Sequence, residues 1–374
     1  MSPLASNSIL PSTVSHEEID QAVIKQVHHT GDGGERGADH EGHGDGAIDI
    51  DAEQRGHGLV LLAGAHVAAQ PRARDQPGEQ RQQHDGGDDD DDLDVRKLHH
   101  EAACTLMYEF KYHRPATVRQ AANLLVKNED AKLIAGGHTL VPVMKQRLAS
   151  PPHLVDLSHI EGLDEIEMKG RSLVIGATAK HAAVATSAIV GEAIPALAEL
   201  AGMIGDPAVR HKGTIGGSLA NNDPTADYPA AVLALGATIV TNKRRLKAEE
   251  FFQGLFTTAL ESDEIVTRVM FPLAKKAAYV KFRNQASRYA LVGVFVARRP
   301  SDVRVAVTGA GSDGVFRVTE FEEALKKRFS SKVLEGLSVS ADGLNSDLHG
   351  SAEYRAHLIG VLARRAVDAA NNRA

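Results

Sequence analysis

The sequence predicts an α+β protein of two consecutive units, and three observations carry that prediction. Strand-like and helix-like stretches alternate irregularly through residues 107–275, and residues 279–318 then read as strands with no intervening helix. The chain closes on a helical run at residues 351–369. A mixed half followed by strands and then helices is the pattern of separate α+β units. The turn chemistry of residues 272–277 sets the boundary, giving units 107–275 and 276–374. With 374 residues and 43% apolar content, the chain can fill two ordinary cores.

The first 106 residues stand apart. They hold 8 Lys and Arg against 21 Asp and Glu, whereas the remainder holds 34 against 28, so the net −7 of the whole chain belongs to this leader. Ten of the 18 His also lie there, with a Gly-, Asp- and His-rich tract at residues 28–57 and an acidic run at residues 88–92. Such a composition cannot bury enough apolar surface to offset its chain entropy. Residues 1–106 are therefore expected to be disordered, or a spurious extension with Met107 as the true start. The functional alternative is a metal-buffering tail, although no regular His or Cys ligand spacing supports it. The one apolar stretch, residues 58–69, is too short to span a bilayer and lacks the basic flank of a signal peptide. Cys104 is the only cysteine. It excludes a disulfide framework, a cysteine zinc site or an iron–sulfur cluster ligated by this chain alone, and points to a reducing cytosol.

From Met107 the elements follow in order. Residues 107–112 read as a strand and 117–127 as a helix. A strand at 132–135, a glycine turn, helical spacing at 140–148 and a strand at 153–157 come next. Thr139 is expected to cap the helix of that group, with Pro142 in the first turn, where its missing donor is not needed. A strand at 172–176 precedes helical stretches at 181–187 and 192–204, and residues 205–218 read as a loop with strand-like pieces. Asp227 is the expected N-cap of a helix at 228–235, before a strand at 237–241. Residues 279–297 are apolar and β-branched around a polar centre, and 304–308 with 315–318 resemble a hairpin.

Two glycine doublets eighty positions apart mark the candidate site: Ala135-Gly136-Gly137-His138-Thr139 and Thr214-Ile215-Gly216-Gly217-Ser218. One such pair is ordinarily a turn. Two of them let main-chain N–H groups approach an anion from two directions, as a diphosphate requires. The second is followed by Asn221-Asn222-Asp223-Pro224-Thr225-Ala226-Asp227, whose carboxylates suit hydroxyl recognition; an Asp before Pro also organises turns. The G-x-G-x-x-G and G-x-x-x-x-G-K-[ST] patterns are absent, which argues against a Rossmann dehydrogenase and a P-loop nucleotidase. His138 and His211 are read as loop residues shaping the site, not as general bases. Lys243, Arg244, Arg245 and Lys247 lack interleaved aromatics and read as a solvated hairpin, not a nucleic-acid surface.

Together with Tyr112-His113-Arg114-Pro115-Ala116-Thr117, the Leu140-Val141-Pro142-Val143-Met144-Lys145 continuation of the first loop and the strand His153-Leu154-Val155-Asp156-Leu157, these motifs resemble the flavin subunit of the molybdenum hydroxylases. That is the family of aerobic carbon monoxide dehydrogenase and xanthine dehydrogenase. The resemblance runs from Tyr108 to about Ala369 and covers none of the leader. It implies a two-subdomain FAD-binding domain of the vanillyl-alcohol-oxidase/PCMH-like type at 107–275 and a C-terminal α+β domain, a small antiparallel sheet with helices, at 276–374. It also implies noncovalent FAD, with its diphosphate along Ala135, Gly136, Gly137, His138, Thr139, Thr214, Ile215, Gly216, Gly217 and Ser218. Asp227 falls at a ribose-bonding position, and Asp223 is a second candidate there. Leu260 aligns beside the flavin. Arg283 replaces a lysine near the pyrimidine edge, keeping the charge while changing its geometry. Tyr289, in Gln285-Ala286-Ser287-Arg288-Tyr289, matches an aromatic ring set against the flavin, its alternative being a core tyrosine.

The function so implied is electron transfer. A large partner subunit oxidises substrate at a molybdenum cofactor, a small partner relays electrons through two [2Fe–2S] clusters, and this chain passes them from FAD to an external acceptor. No metal site, nucleic-acid partner or transmembrane segment is expected in this chain. Two alternatives stand beside this reading: a self-sufficient FAD-dependent oxidoreductase, and a metal-binding protein acting through its His/Asp-rich leader.

Overall fold

The computed structural model describes residues 107–373. The expectations for residues 1–106, including the metal-buffering tail and Cys104, lie outside the described residues.

The first elements build a small parallel sheet. Strand β1 (Lys111–His113), helix α1 (Val118–Lys127), β2 (Lys132–Ile134), helix α2 (Leu140–Lys145) and β3 (His153–Asp156) follow one another, with sheet order β1-β3-β2. The strand expected over 107–112 is shorter than its apolar pattern. It pairs only where β3 begins, Lys111 opposite His153. Thr117 caps α1 by accepting from the Gln120 N–H, and the helix buries Ala121 and Leu125 against Val155 and Leu157. Because β2 runs straight into the first glycine motif, this sheet aims that motif.

A five-stranded antiparallel sheet follows, in the order β4-β5-β10-β6-β7. Its strands are β4 (Ile166–Lys169), β5 (Ser172–Gly176), β6 (Thr238–Thr241), β7 (Arg245–Lys247) and β10 (Val266–Pro272). Between β5 and β6 come six short helices: α3 (His181–Thr186), α4 (Ala188–Ala193), α5 (Pro195–Gly202), α6 (Pro207–Lys212), α7 (Ile215–Asn221) and α8 (Tyr228–Leu235). The loop expected over 205–218 is thus two helices. Asp206 accepts from the Val209 N–H with Pro207 in the first turn, and Thr214 accepts from the Gly217 N–H. Both caps are favourable, but helices of only 6 and 7 residues, the second with two glycines, show no readable apolar period. Every residue of α8 is buried. After β7 come α9 (Ala248–Phe251) and the hairpin β8 (Phe252–Gly254) and β9 (Thr257–Thr258). The basic run lies on the β6–β7 hairpin as expected, but its tip is paired, not merely solvated. Lys243 meets Glu261 at 2.7 Å and Asp263 at 2.5 Å, and Arg244 meets the buried Glu264 at 2.9 Å.

The second half is a four-stranded antiparallel sheet in the order β11-β12-β13-β14, made of β11 (Lys276–Arg283), β12 (Ala290–Arg298), β13 (Val303–Thr308) and β14 (Phe316–Arg317). The polar centre of the 279–297 run is the β11–β12 turn. Helix α10 (Thr319–Lys327) and the long α11 (Ala352–Asn372) cover one face, resting on Val292, Val294, Val296 and Val305. The opposite face turns Tyr279, Phe295, Ala297 and Ala306 into the same core as α8. Alternation along one strand thus serves two cores.

Candidate functional site

The first glycine motif leaves its amides free. After β2 the chain turns at Gly137, whose φ of +69° is costly for any residue with a Cβ. The N–H groups of Gly136, Gly137, His138 and Thr139 meet no acceptor among the described residues, while the Gly137 carbonyl accepts from Val141 to open α2. Thr139 does not cap that helix as expected. Its backbone is already helical, φ −101° and ψ −51°, and its hydroxyl makes no cap bond.

The second motif spends its amides internally. Ile215 and Gly216 donate to the carbonyls of Ala179 and Ala177, Gly217 to the Thr214 hydroxyl, and Ser218 to the Thr214 carbonyl. Its glycines serve close approach instead. A Cβ on Gly216 would lie 2.6 Å from the Ala177 Cβ. Gly217 is exposed and would meet only the Thr214 hydroxyl, and the half-buried Ser218 hydroxyl has no partner among the described residues. The two motifs adjoin directly: a Cβ on Gly136 would lie 2.8 Å from the Gly213 Cα and closer still to the Lys212 carbonyl oxygen.

Beside this junction three enclosed polar atoms have no partner among the described residues: His138 Nε2, His181 Nδ1 and the Tyr228 hydroxyl. The His181 and Tyr228 rings stand 5.4 Å apart. Burial, with nearby His138 and Arg210, pulls the His181 pKa down to about 4. Burial also lowers that of His138, against a hydrogen bond to the Ala208 backbone. Both rings are neutral at neutral pH, in keeping with a shaping role. His211 lies exposed on α6. His181 and Tyr228 were not singled out from sequence, because single polar residues in apolar stretches carry no spacing signal.

The acidic loop and the second half meet on the other side. Asp227 is buried at the N-cap position of α8 but has helical backbone, φ −76° and ψ −43°, and caps nothing. Its carboxylate instead accepts from the Tyr279 hydroxyl at 2.5 Å and from Lys281 Nζ at 2.9 Å. Burial raises its pKa, opposed by Lys281 and by the Tyr279 hydrogen bond. Asp223 accepts from the Thr225 N–H and hydroxyl, organising a turn. Tyr289 lies 49% exposed on the β11–β12 turn, so it is not a core residue. Burial of its ring edge and the Asp223 and Asp227 carboxylates raise its phenol pKa. Arg283 is exposed, past a register shift after Phe282. Leu260 packs partly buried against the main core, beyond the β8–β9 hairpin that Asn222 holds through the Gly254 and Thr257 carbonyls. The structure thus brings the two motifs together and sets Asp223 and Asp227 on the loop that follows α7, while Arg283 and Tyr289 lie at the β11–β12 connection and Leu260 beyond the β8–β9 hairpin.

Four free consecutive amides, a glycine junction that a Cβ would fill and an unpaired Ser218 hydroxyl fit the diphosphate and polar chain of FAD. Comparison with known proteins gives the family. Residues 108–274 match the family described as the FAD binding domain in molybdopterin dehydrogenase, and residues 277–370 match the CO dehydrogenase flavoprotein C-terminal domain. The nicotine 6-hydroxylase medium subunit of Paenarthrobacter nicotinovorans is 36% identical over 271 residues, 69% of this chain and 95% of that one. The carbon monoxide dehydrogenase medium chain of Hydrogenophaga pseudoflava is 35% identical over 277 residues, 70% of this chain and 96% of that one. Among solved structures, carbon monoxide dehydrogenase from Hydrogenophaga pseudoflava superposes with a TM-score of 0.67 at 35% identity, covering 72% of this chain and 99% of that one. Quinoline 2-oxidoreductase from Pseudomonas putida 86 gives 0.64 at 28% identity, covering 71% and 97%. With both halves matched and nearly the full length of these relatives spanned, the chain belongs to the family of FAD-binding medium subunits of the molybdopterin dehydrogenases, the oxidoreductases of carbon monoxide and xanthine dehydrogenase type.

Proposed function

We propose that this chain is the electron-transfer subunit of a molybdenum hydroxylase complex, receiving electrons from [2Fe–2S] clusters in a small partner and delivering them through FAD to an external acceptor. A large partner carrying the molybdenum cofactor would choose the substrate. The observation that carries the reading is the set of unclaimed amides at Gly136, Gly137, His138 and Thr139, pressed against the second motif. Bound FAD supplies the ability to take up and release electrons singly or in pairs. This chain's residues would do the rest. The first motif binds the diphosphate, Ser218 and Asp223 offer polar groups to the ribityl and ribose region, and Tyr289 offers a ring to the flavin, with Arg283 at the end of β11 and Leu260 as further contacts. Residues 107–275 and 276–374 would act as the two domains, with residues 1–106 dispensable and the complex in the cytosol.

The full chain, incubated with FAD and separated from unbound flavin by gel filtration, should elute yellow and release its flavin on acid treatment. A folded chain that stays colourless refutes the reading. Substrate-dependent bleaching by this chain alone, without partners, would favour a self-sufficient flavoprotein instead.

A further inference from the structure

The loop at residues 223–227 is held from the other half of the molecule. Thr308, at the end of β13, donates its hydroxyl to the Ala226 carbonyl at 2.6 Å and to the Pro224 carbonyl at 3.1 Å, and the Gly309 N–H donates to Pro224 at 2.8 Å. From β11, Tyr279 and Lys281 donate to the Asp227 carboxylate at 2.5 and 2.9 Å, and Lys281 also reaches the Met203 carbonyl at 3.2 Å. The Lys281 and Asp227 side chains are 2% and 3% exposed. These donors come from the two strands that flank β12, because Gly293 on β12 pairs with Lys281 of β11 on one side and Thr308 of β13 on the other. Its missing side chain makes the room: a Cβ there would collide with the Tyr279 hydroxyl and lie 2.9 Å from Thr308 Cγ2.

A buried ion pair is a poor way to add stability, since apolar residues of similar volume do as well or better. It is a good way to fix one geometry. We propose that Tyr279, Lys281 and Thr308 are positioning residues for the cofactor, fixing the 223–227 loop at the end of α7, the helix that opens in the second glycine motif, so that the second half governs how tightly the first half holds FAD. The proposal rests on the FAD reading above. Lys281 supplies the charge that a carboxylate this deeply buried demands, while Thr308 fixes the backbone of the same loop from its other end.

The test uses the full chain stripped of flavin and titrated with FAD by flavin fluorescence, with thermal unfolding followed in parallel. Lys281→Met and Thr308→Val should each raise the FAD Kd about tenfold or more, measured well below their unfolding temperatures. Lys281→Arg should recover much of the affinity, and the double variant should lose less than the two single losses combined, because both residues serve one loop. Folded Lys281→Met and Thr308→Val proteins with lowered Tm but unchanged Kd would overturn the proposal and leave the network a stabilising one only. If Lys281→Met does not fold, Thr308→Val decides on the same readout. A parent chain that binds no FAD overturns the functional reading as well, and the parent titration tells the two failures apart.

Discussion

Gly136→Ala addresses the junction on which the proposed cofactor site depends. The new methyl would sit 2.8 Å from the Gly213 Cα and closer to the Lys212 carbonyl, both of them backbone and neither able to swing aside like a side chain. Restoring ordinary contact requires one loop to retreat by about 1 Å, an overpacking strain of about 1–3 kcal/mol. For a folded body of this size each kcal/mol lowers Tm by about 2–4 °C, so a fall of about 2–12 °C is expected. The retreat also carries the free amides away from the second motif, and each phosphate hydrogen bond lost weakens FAD by about 10- to 100-fold. Isothermal titration with FAD and thermal unfolding with and without FAD measure both effects. Gly191→Ala is the control: it sits in α4 with open space around its Cβ position, so it should keep parental FAD affinity and gain up to about 1 kcal/mol of helix stability. A Gly136→Ala protein with parental Tm and parental FAD affinity would refute the picture of two interlocked motifs.

Gly137→Val should abolish detectable FAD binding while far-UV circular dichroism stays near the parental spectrum, because a β-branched residue resists a φ of +69° in the loop that presents the amides. Tyr289→Ala should shift the flavin midpoint potential and slow reoxidation in the assembled complex more than it weakens FAD affinity, since this half-exposed ring sits apart from the diphosphate motifs. His181 should make stability pH-dependent. Its pKa is about 4 folded against 6.5 unfolded, so the unfolded chain takes up a proton first and stability, full above pH 6.5, is lost as pH falls towards 4. The loss amounts to at most about 3 kcal/mol. Denaturant unfolding of the parent and of His181→Asn at pH 7 and pH 4.5 measures it, and an equal pH slope in both proteins would remove His181 from the account.

Much of the architecture was legible because it rests on local pattern. The strand–turn–helix–strand group around Gly136, the hairpins of the second half and the long closing helix all show their apolar period over enough residues to read. Helices α6 and α7 do not, because capping by Asp206 and Thr214 and packing against Ala177 make them, not propensity. Thr139 and Asp227 were recognisable as residues at helix starts, yet residue type cannot reveal that both already have helical backbone and so release their side chains for other partners. The two glycine motifs do adjoin, while the split between free amides in one and internally bonded amides in the other depends on Ala177 and Ala179, far from either in sequence. Lys281 escaped notice two positions before Arg283, since only the register shift after Phe282 and the opposing Gly293 separate a buried partner of Asp227 from an exposed charge.

The double duty of strand β12 has a bearing on how such chains can be recombined. Val292, Val294 and Val296 belong to one core and Phe295 and Ala297 to another, so the division that two family descriptions draw between residues 274 and 277 runs through sequence but not through packing. A cut there would strip the wholly buried α8 of the aromatic and alanine surface that roofs it, leaving an apolar face for aggregation to claim. A protease nick at residues 273–275 should instead leave two fragments that stay together and keep their flavin. By the same reasoning, exchanging the C-terminal half between relatives requires transplanting the facing residues of α8 with it. The unit of inheritance is therefore the strand with the helix beneath it, and neither half can drift without the other.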